Sequence, residues 1–154
     1  PAATYAVRVS TEFPIYENDR VEQFSRILQA DDADEHLDLL GRLMFDSHAG
    51  YAACGLTEPG TDRLVELVRE NHKNGLFGAR ITGGGSGGTV AIVGRRGCRS
   101  VVDDIASRYQ NETGRATYVF AGSSPGCDEF GSIVLRRADQ DRAARRHNLP
   151  SGSV

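Results

Sequence analysis

Cysteine is scarce in this chain and apolar runs of membrane-spanning length are absent. The three cysteines, Cys54, Cys98 and Cys127, are odd in number and none belongs to a C-x-x-C pair. That pattern argues against a disulfide framework and a structural zinc site, and it suits a reducing cytoplasm. His36, His48, His72 and His147 follow no H-E-x-x-H or related spacing, so no metal held by the protein itself is expected. Nor is a basic segment followed by an apolar run found after Pro1, which leaves no secretory signal and makes the cytoplasm the expected location. A first residue that is proline points to upstream residues removed from, or never included in, this sequence. The net charge of −3 supplies no broad basic face, so neither nucleic acid nor a membrane is an expected partner.

Glycine, by contrast, is plentiful, with 18 of 154 residues, and the excess gathers in loops. With 39% apolar and 25% charged residues the composition is that of an ordinary soluble protein, long enough for one domain with a core. The richest stretch is Ala79-Arg80-Ile81-Thr82-Gly83-Gly84-Gly85-Ser86-Gly87-Gly88-Thr89-Val90-Ala91-Ile92-Val93. Glycine lacks a Cβ, so this loop can adopt positive φ and bring backbone N–H groups close to an oxyanion or another backbone. Apolar, β-branched flanks on both sides read as strand, shaped loop, strand rather than flexible linker.

Known glycine motifs narrow the chemistry. A Walker A loop needs Lys and Ser/Thr directly after its last glycine and then a helix, whereas Gly88 is followed by Thr-Val-Ala-Ile-Val. Gly84-Gly85-Ser86-Gly87-Gly88 satisfies the G-x-S-x-G string, with Ser86 as nucleophile, but the nucleophile elbow turns from a strand into a helix and a strand is expected here. A Rossmann fingerprint also requires that helix, and an acidic residue closing a second strand. A glycine-rich β-turn without a ligand is the bland alternative.

The segment from Gly78 through Gly83-Gly84-Gly85-Ser86-Gly87-Gly88 to Thr89 closely resembles the third motif of the GHMP small-molecule kinases, in its galactokinase and L-arabinokinase form. Four further segments resemble the C-terminal half of the arabinokinase branch in the same order: Phe13-Pro14-Ile15-Tyr16-Glu17-Asn18, His48-Ala49-Gly50-Tyr51-Ala52-Ala53-Cys54-Gly55-Leu56, Gly60-Thr61-Asp62-Arg63-Leu64-Val65 and Gly122-Ser123-Ser124-Pro125-Gly126. The resemblance runs from about residue 5 to about residue 137. The family's P-x-x-x-G-L-S-S-S-A loop, and the half supplying its catalytic Asp and Arg, are not among these residues. The resemblance therefore implies the C-terminal domain of an ATP- and Mg2+-dependent sugar 1-kinase, inactive alone, whose partners are a monosaccharide, ATP and an N-terminal kinase half. Thr82, Gly83, Gly84, Gly85, Ser86, Gly87 and Gly88 would form its ATP/phosphate loop, closing the cleft from the C-terminal side. Phe13, Tyr16, His48, Tyr51 and Asp62 would border the sugar pocket.

Each of those five has a plainer reading. Asp62 suits a helix cap, Tyr51 packing, and His48 a hydrogen bond inside the domain. Phe13 stands where galactokinases tend to carry Tyr and, without a hydroxyl, is limited to stacking. The segment from Gly122 to Gly126 is expected to be a structural loop because no helix follows it. Arg136, Arg137, Arg142, Arg145 and Arg146 alternate with Asp139 and Asp141, the pattern of a solvated tail.

Periodicity predicts an extended segment over residues 4–10, a turn at Pro14, and a helix over 19–29 with Val21, Phe24, Ile27 and Leu28 on one apolar face. A second helix is expected over 33–49 with Leu37, Leu40, Leu43 and Met44 inward, its acidic start favoured by the helix dipole. A third should be capped by Thr61 or Asp62 and end at Asn74-Gly75. Strands over 77–82 and 89–93, a helix over 100–111, and strands over 117–121 and 132–136 complete an antiparallel four-stranded sheet. The fold class is α+β, a two-layer ferredoxin-like sandwich with an antiparallel sheet packed against helices. The domains are a lead-in strand and turn over 1–18, at the junction with a missing half, the GHMP kinase C-terminal domain over 19–137, and a polar tail over 138–154. A second function class stays open: a non-catalytic module of the same fold binding a nucleotide, a sugar phosphate or a protein.

Overall fold

A nearly continuous apolar strand wrapped by helices organises the first of two units, Pro1–Val119 and Phe120–Val154, into which the chain divides. The computed structural model describes residues 7–122, 129 and 131–134. Helix α1 spans Val7–Leu28 and carries Pro14 inside it. The extended segment and turn expected before residue 19 are therefore corrected to helix over residues 7–18. Proline removes one ladder bond and crowds the preceding turn, but side-chain pairs one turn apart brace the helix on both sides. Arg8 Nε binds Glu12 at 2.7 Å, Asn18 donates to Glu22 at 3.1 Å, Gln23 to Asp19 at 2.7 Å, and Arg26 to Glu22 at 2.9 Å. No α1 residue is fully buried. Its inward stripe is Phe13, Glu17, Arg20 and Phe24, all half-buried, whereas Val21 and Leu28 are 54% and 57% exposed.

After a 3-10 turn over Ala33–His36, helix α2 spans Leu37–Ala53. Leu40, Leu43 and Met44 are buried as the periodicity predicts, and Leu37 is half-buried. Helix α3 spans Pro59–Glu70, so its cap lies at Glu58 rather than at Thr61 or Asp62. The Thr61 hydroxyl accepts the Glu58 N–H at 3.2 Å and donates to the Glu58 carbonyl at 2.9 Å, which satisfies the helix start from inside. Pro59 at the first helical position needs no hydrogen bond there. A short 3-10 turn, His72–Asn74, ends at Gly75.

Strand β1 (Leu76–Ile81) pairs antiparallel with β2 (Val90–Gly94), Ile81 opposite Val90 and Leu76 opposite Gly94, with a bulge between Leu76 and Gly78. Helix α4 follows over Arg99–Thr113 and stops at Gly114, in the left-handed region at φ 70°. Leu67, Val68, Leu76 and Ala79 are shielded from solvent and pack with Phe45, Val65, Ile105 and Tyr109 into one cluster. On the surface Arg63 binds Glu112 through Nε and Nη2 at 2.7 and 3.0 Å, and Arg108 bridges Glu112 and Glu70 at 2.8 and 2.6 Å. Hydrogen bonds from Arg63, then Arg108, hold the Glu112 carboxyl down to about 2. Lying at the surface and open to solvent, this network orients α3 against α4 and weakens with salt.

The architecture is α+β, as expected. Among the described residues the sheet has two strands, β1 and β2. Half-buried Thr117 and Val119 alternate with exposed Tyr118 and Phe120, the period of a strand. A period of two marks a surface that suits a strand and leaves its partner unspecified. In the second unit residues 120–122, 129 and 131–134 are exposed. Residues 123–126, Cys127, residues 135–136 and the tail over 138–154 lie outside the described residues.

Helix α2 rides directly on the backbone of β1. A Cβ on Gly41 would stand 2.0 Å from the Phe77 carbonyl oxygen, and one on Gly78 would stand 2.4 Å from the Gly41 Cα. Gly41→Ala is accordingly expected to lower the urea midpoint by the equivalent of about 2–3 kcal/mol at unchanged m. Gly84→Ala, in open space, should change stability by less than about 0.5 kcal/mol. A wild-type midpoint for Gly41→Ala would show that the helix does not depend on this contact.

Candidate functional site

The β1–β2 connection is a shaped loop closed at its base. Thr82 donates to the Thr89 carbonyl through its N–H at 3.1 Å and its hydroxyl at 3.4 Å. Gly83, Gly85 and Ser86 have φ of 72°, 91° and 50°. At Gly85 the requirement is double, since a Cβ would also lie 2.6 Å from the Leu56 carbonyl oxygen. Ser86 donates its N–H to that same oxygen at 2.7 Å, which moors the loop to the α2–α3 connection. The N–H groups of Gly83, Gly84, Gly85, Gly87 and Gly88 donate to no described residue. Gly84 and Gly88 have nothing within 4 Å of an added Cβ, and neither has a positive φ. The fold thus gives no internal reason for glycine at these two positions.

Ser86 is exposed, and the loop leads into strand β2 rather than a helix. No described side chain hydrogen-bonds its hydroxyl, so no base is in place to activate it. The geometry is not that of a nucleophile elbow.

Four of the five sequence-selected border residues gather behind the loop. Tyr51, near the end of α2, donates its hydroxyl to the Gly83 carbonyl at 3.0 Å. Phe13 packs edge-on against the Tyr51 ring at 5.0 Å and rests on Gly50, where a Cβ would lie 2.7 Å from its ring. His48 is buried, and its Nδ1 accepts the Ile81 N–H at 3.2 Å. Its Nε2 therefore carries the proton and faces Asp62 Oδ1 at 3.2 Å. That approach is off the line of a good hydrogen bond and leaves the enclosed Oδ1 without a well-aligned donor. Asp62 Oδ2 accepts from the Thr57 hydroxyl at 3.2 Å. Asp62 is thus an anchor between α3 and α2 instead of a helix cap. Tyr16 is elsewhere: 57% exposed, it lines a concavity between α1 and α2 with Arg20, Arg42 and Asp46.

Two further residues join the site without having been singled out. Glu17 accepts from Arg80 Nη1 at 2.8 Å, and the Arg80 guanidinium lies 5.2 Å from the Tyr51 ring centroid. Both fall inside the family-like segments. A charged residue in the apolar flank of the loop, and a carboxylate one helical turn beyond Phe13, were the signals available. Among the described residues no three His, Cys, Asp or Glu side chains converge as a metal-binding group.

Residues 24–109 match the profile of the C-terminal region of GHMP kinases, more than half of the chain. The chain belongs to the GHMP kinase family. Among its relatives, an L-arabinokinase of Arabidopsis thaliana is 46% identical over 143 residues, 87% of this chain and 14% of that protein. A galactokinase of Roseiflexus sp. (strain RS-1) is 32% identical over 116 residues, 74% of this chain and 28% of its own length. A galactokinase of Glaesserella parasuis serovar 5 (strain SH0165) is 37% identical over 116 residues, covering 73% and 29%. This GHMP kinase domain therefore spans less than a third of the curated relatives it matches. None of its described helices is long and apolar enough to cross a membrane.

Within the domain, burial pushes the His48 imidazole below its ordinary 6.5, opposed by the charge of Asp62. The unfolded chain takes up a proton near pH 6.5 while the folded form stays neutral to lower pH. Stability is therefore lost as pH falls from 6.5 toward the folded value, and His48 adds no slope above it. Between about pH 7.5 and 5.5, wild-type stability should decline more steeply on acidification than that of His48→Gln, measured by denaturant titration at each pH. Equal slopes would assign the titration to another group.

Proposed function

We propose that this chain is the C-terminal domain of a longer ATP-dependent sugar 1-kinase, with the loop over residues 82–88 closing the nucleotide and sugar cleft. The reading is carried by the loop itself. Gly84 and Gly88 are glycines that the described fold does not require, and they stand beside backbone N–H groups with no acceptor among the described residues. Close approach of an external group is what such positions permit, and a polyphosphate is an acceptor that a run of unengaged backbone N–H donors suits. Phosphoryl transfer asks mainly for positioning and for stabilisation of charge on phosphate oxygens, so a loop without reactive side chains can contribute fully. The relatives named L-arabinokinase and galactokinase, and the small share of their length covered, support a whole protein in which another portion supplies the remaining machinery.

In this scheme MgATP donates its terminal phosphoryl group to the anomeric hydroxyl of arabinose, galactose or a similar monosaccharide. The metal is held by the nucleotide and by the portion outside this chain, which also brings the catalytic groups. Phe13, Tyr51, His48 and Asp62 stand behind the loop, bordering the sugar pocket, and Tyr51 also supports the loop that faces phosphate. Tyr16 stands apart from that cluster and has the weakest claim to the pocket.

Two measurements test the proposal. The longer protein should release ADP in a sugar-dependent reaction, with L-arabinose the first acceptor to try, while residues 1–154 alone give no turnover. Gly84→Val in the longer protein should cut kcat/KM by at least about tenfold with little change in melting temperature, because its side chain enters only the space assigned to phosphate. Full activity in that variant would remove the loop from the phosphate site.

A further inference from the structure

Glu17 and its partners do something the core does not require. Helix α1 buries no residue, yet the Glu17 side chain is only 15% exposed and its carboxylate accepts from three donors on three elements. Arg80 Nη1 of β1 binds Oε1 at 2.8 Å, the Ser47 hydroxyl of α2 binds Oε1 at 2.5 Å, and Arg20 Nη1 of α1 itself binds Oε2 at 3.2 Å. Arg80 is fixed at a second point, its Nε donating to the Ile81 carbonyl at 3.0 Å. So held, its guanidinium lies over the Tyr51 ring, which Phe13 meets edge-on and whose hydroxyl ends on the Gly83 carbonyl. A continuous line of contacts thus runs from a helix at the edge of the unit to the first glycine of the loop. The end of β1 and α2 are already joined by the Gly41–Gly78 contact and by the His48 bond to Ile81, so the line is not needed to keep the core shut.

We propose that Glu17 is a positioning residue for the glycine loop, acting through Arg80 and the Tyr51 hydroxyl on Gly83. The carboxylate is the only described partner that gives the Arg80 guanidinium an ion pair. Without it, Arg80 keeps a half-buried charge with no counter-ion and leaves for solvent. Tyr51 then loses the cation over its ring, and the Gly83 carbonyl loses a fixed donor. Lysine at position 80 does not substitute, because one compact ammonium lacks the fork that lets Arg80 bind Glu17 through Nη1 and the Ile81 carbonyl through Nε at once.

The catalytic consequence rests on the kinase reading, but the structural claim is measurable without nucleotide or sugar. Amide hydrogen exchange of the 154-residue chain reads it at Ser86, whose N–H is bonded to Leu56, with Ile81 and Gly114 as internal controls. Glu17→Gln and Tyr51→Phe should each accelerate Ser86 exchange at least about fivefold and leave Ile81 and Gly114 unchanged. The double variant should exchange no faster than Tyr51→Phe alone, since both act on one line. Equal acceleration at Ile81 and Gly114, or effects that add in the double variant, would overturn the proposal and reduce Glu17 to a stabilising contact. In the longer protein, Glu17→Gln should raise the KM for ATP more than the KM for sugar. Parallel changes in the two KM values would overturn the link to the phosphate side. A wild-type longer protein with no kinase turnover would instead overturn the proposed function, while Ser86 exchange still decides the role of Glu17.

Discussion

The approach of α2 to β1 at Gly41 and Gly78 sets the position of nearly everything else. Because no side chain stands between them, helix and strand are held at backbone distance, and the far half of α2 runs beside the end of β1. That places His48 under the Ile81 N–H and Tyr51 under the start of the loop. A helix lifted by the width of one methyl group would carry both side chains away from their acceptors together. The spacing of seven residues from Gly41 to His48 is about two helical turns, so the packing contact and the histidine share one face. Ten residues from Gly41, Tyr51 falls roughly 80° round the helix from it and reaches the start of the loop.

His48 then ties three elements at one point. Its two nitrogens divide the work: one accepts from the backbone of β1, and the other turns its proton toward a carboxylate at the start of α3. The alignment toward Asp62 is imperfect, and burial still outweighs the carboxylate in setting the charge of the ring. A neutral histidine is what this geometry needs, since a doubly protonated ring could not accept the Ile81 N–H. Structural and titration properties are here the same fact.

The elements that could be read in the sequence were those with strong local signals. The glycine loop between two β-branched segments, the apolar period of α2 and the glycine stops at 75 and 114 all had such signals. Pro14 misled because a proline inside a helix is costly in general, and the bracing pairs around it are visible only when the residues on both sides are counted as helical. The start of α3 was displaced because Thr61 is a good cap in isolation, although Pro59 needed to be the first helical residue. Over residues 117–121 the alternation marks a strand-like surface, but it says nothing of a partner. For the site, Tyr51 and His48 were found through resemblance and not through periodicity. Arg80 and Glu17 were passed over because charges near a strand and on a helix usually face solvent. Their partners lie 63 positions apart in the chain, beyond any local pattern.

A glycine-rich segment is the most flexible stretch a chain can have, and immobilising it around a ligand would ordinarily draw about 1–2 kcal/mol of backbone entropy per residue from the binding energy. In this loop the carbonyl of Gly83 and the N–H of Ser86 are already fastened to Tyr51 and Leu56. Much of the ordering is therefore completed when the domain folds, and under the phosphate-site proposal only the limb at Gly87 and Gly88 would remain to be settled on contact. The loop combines the bare backbone of glycine with the preorganisation of a rigid turn.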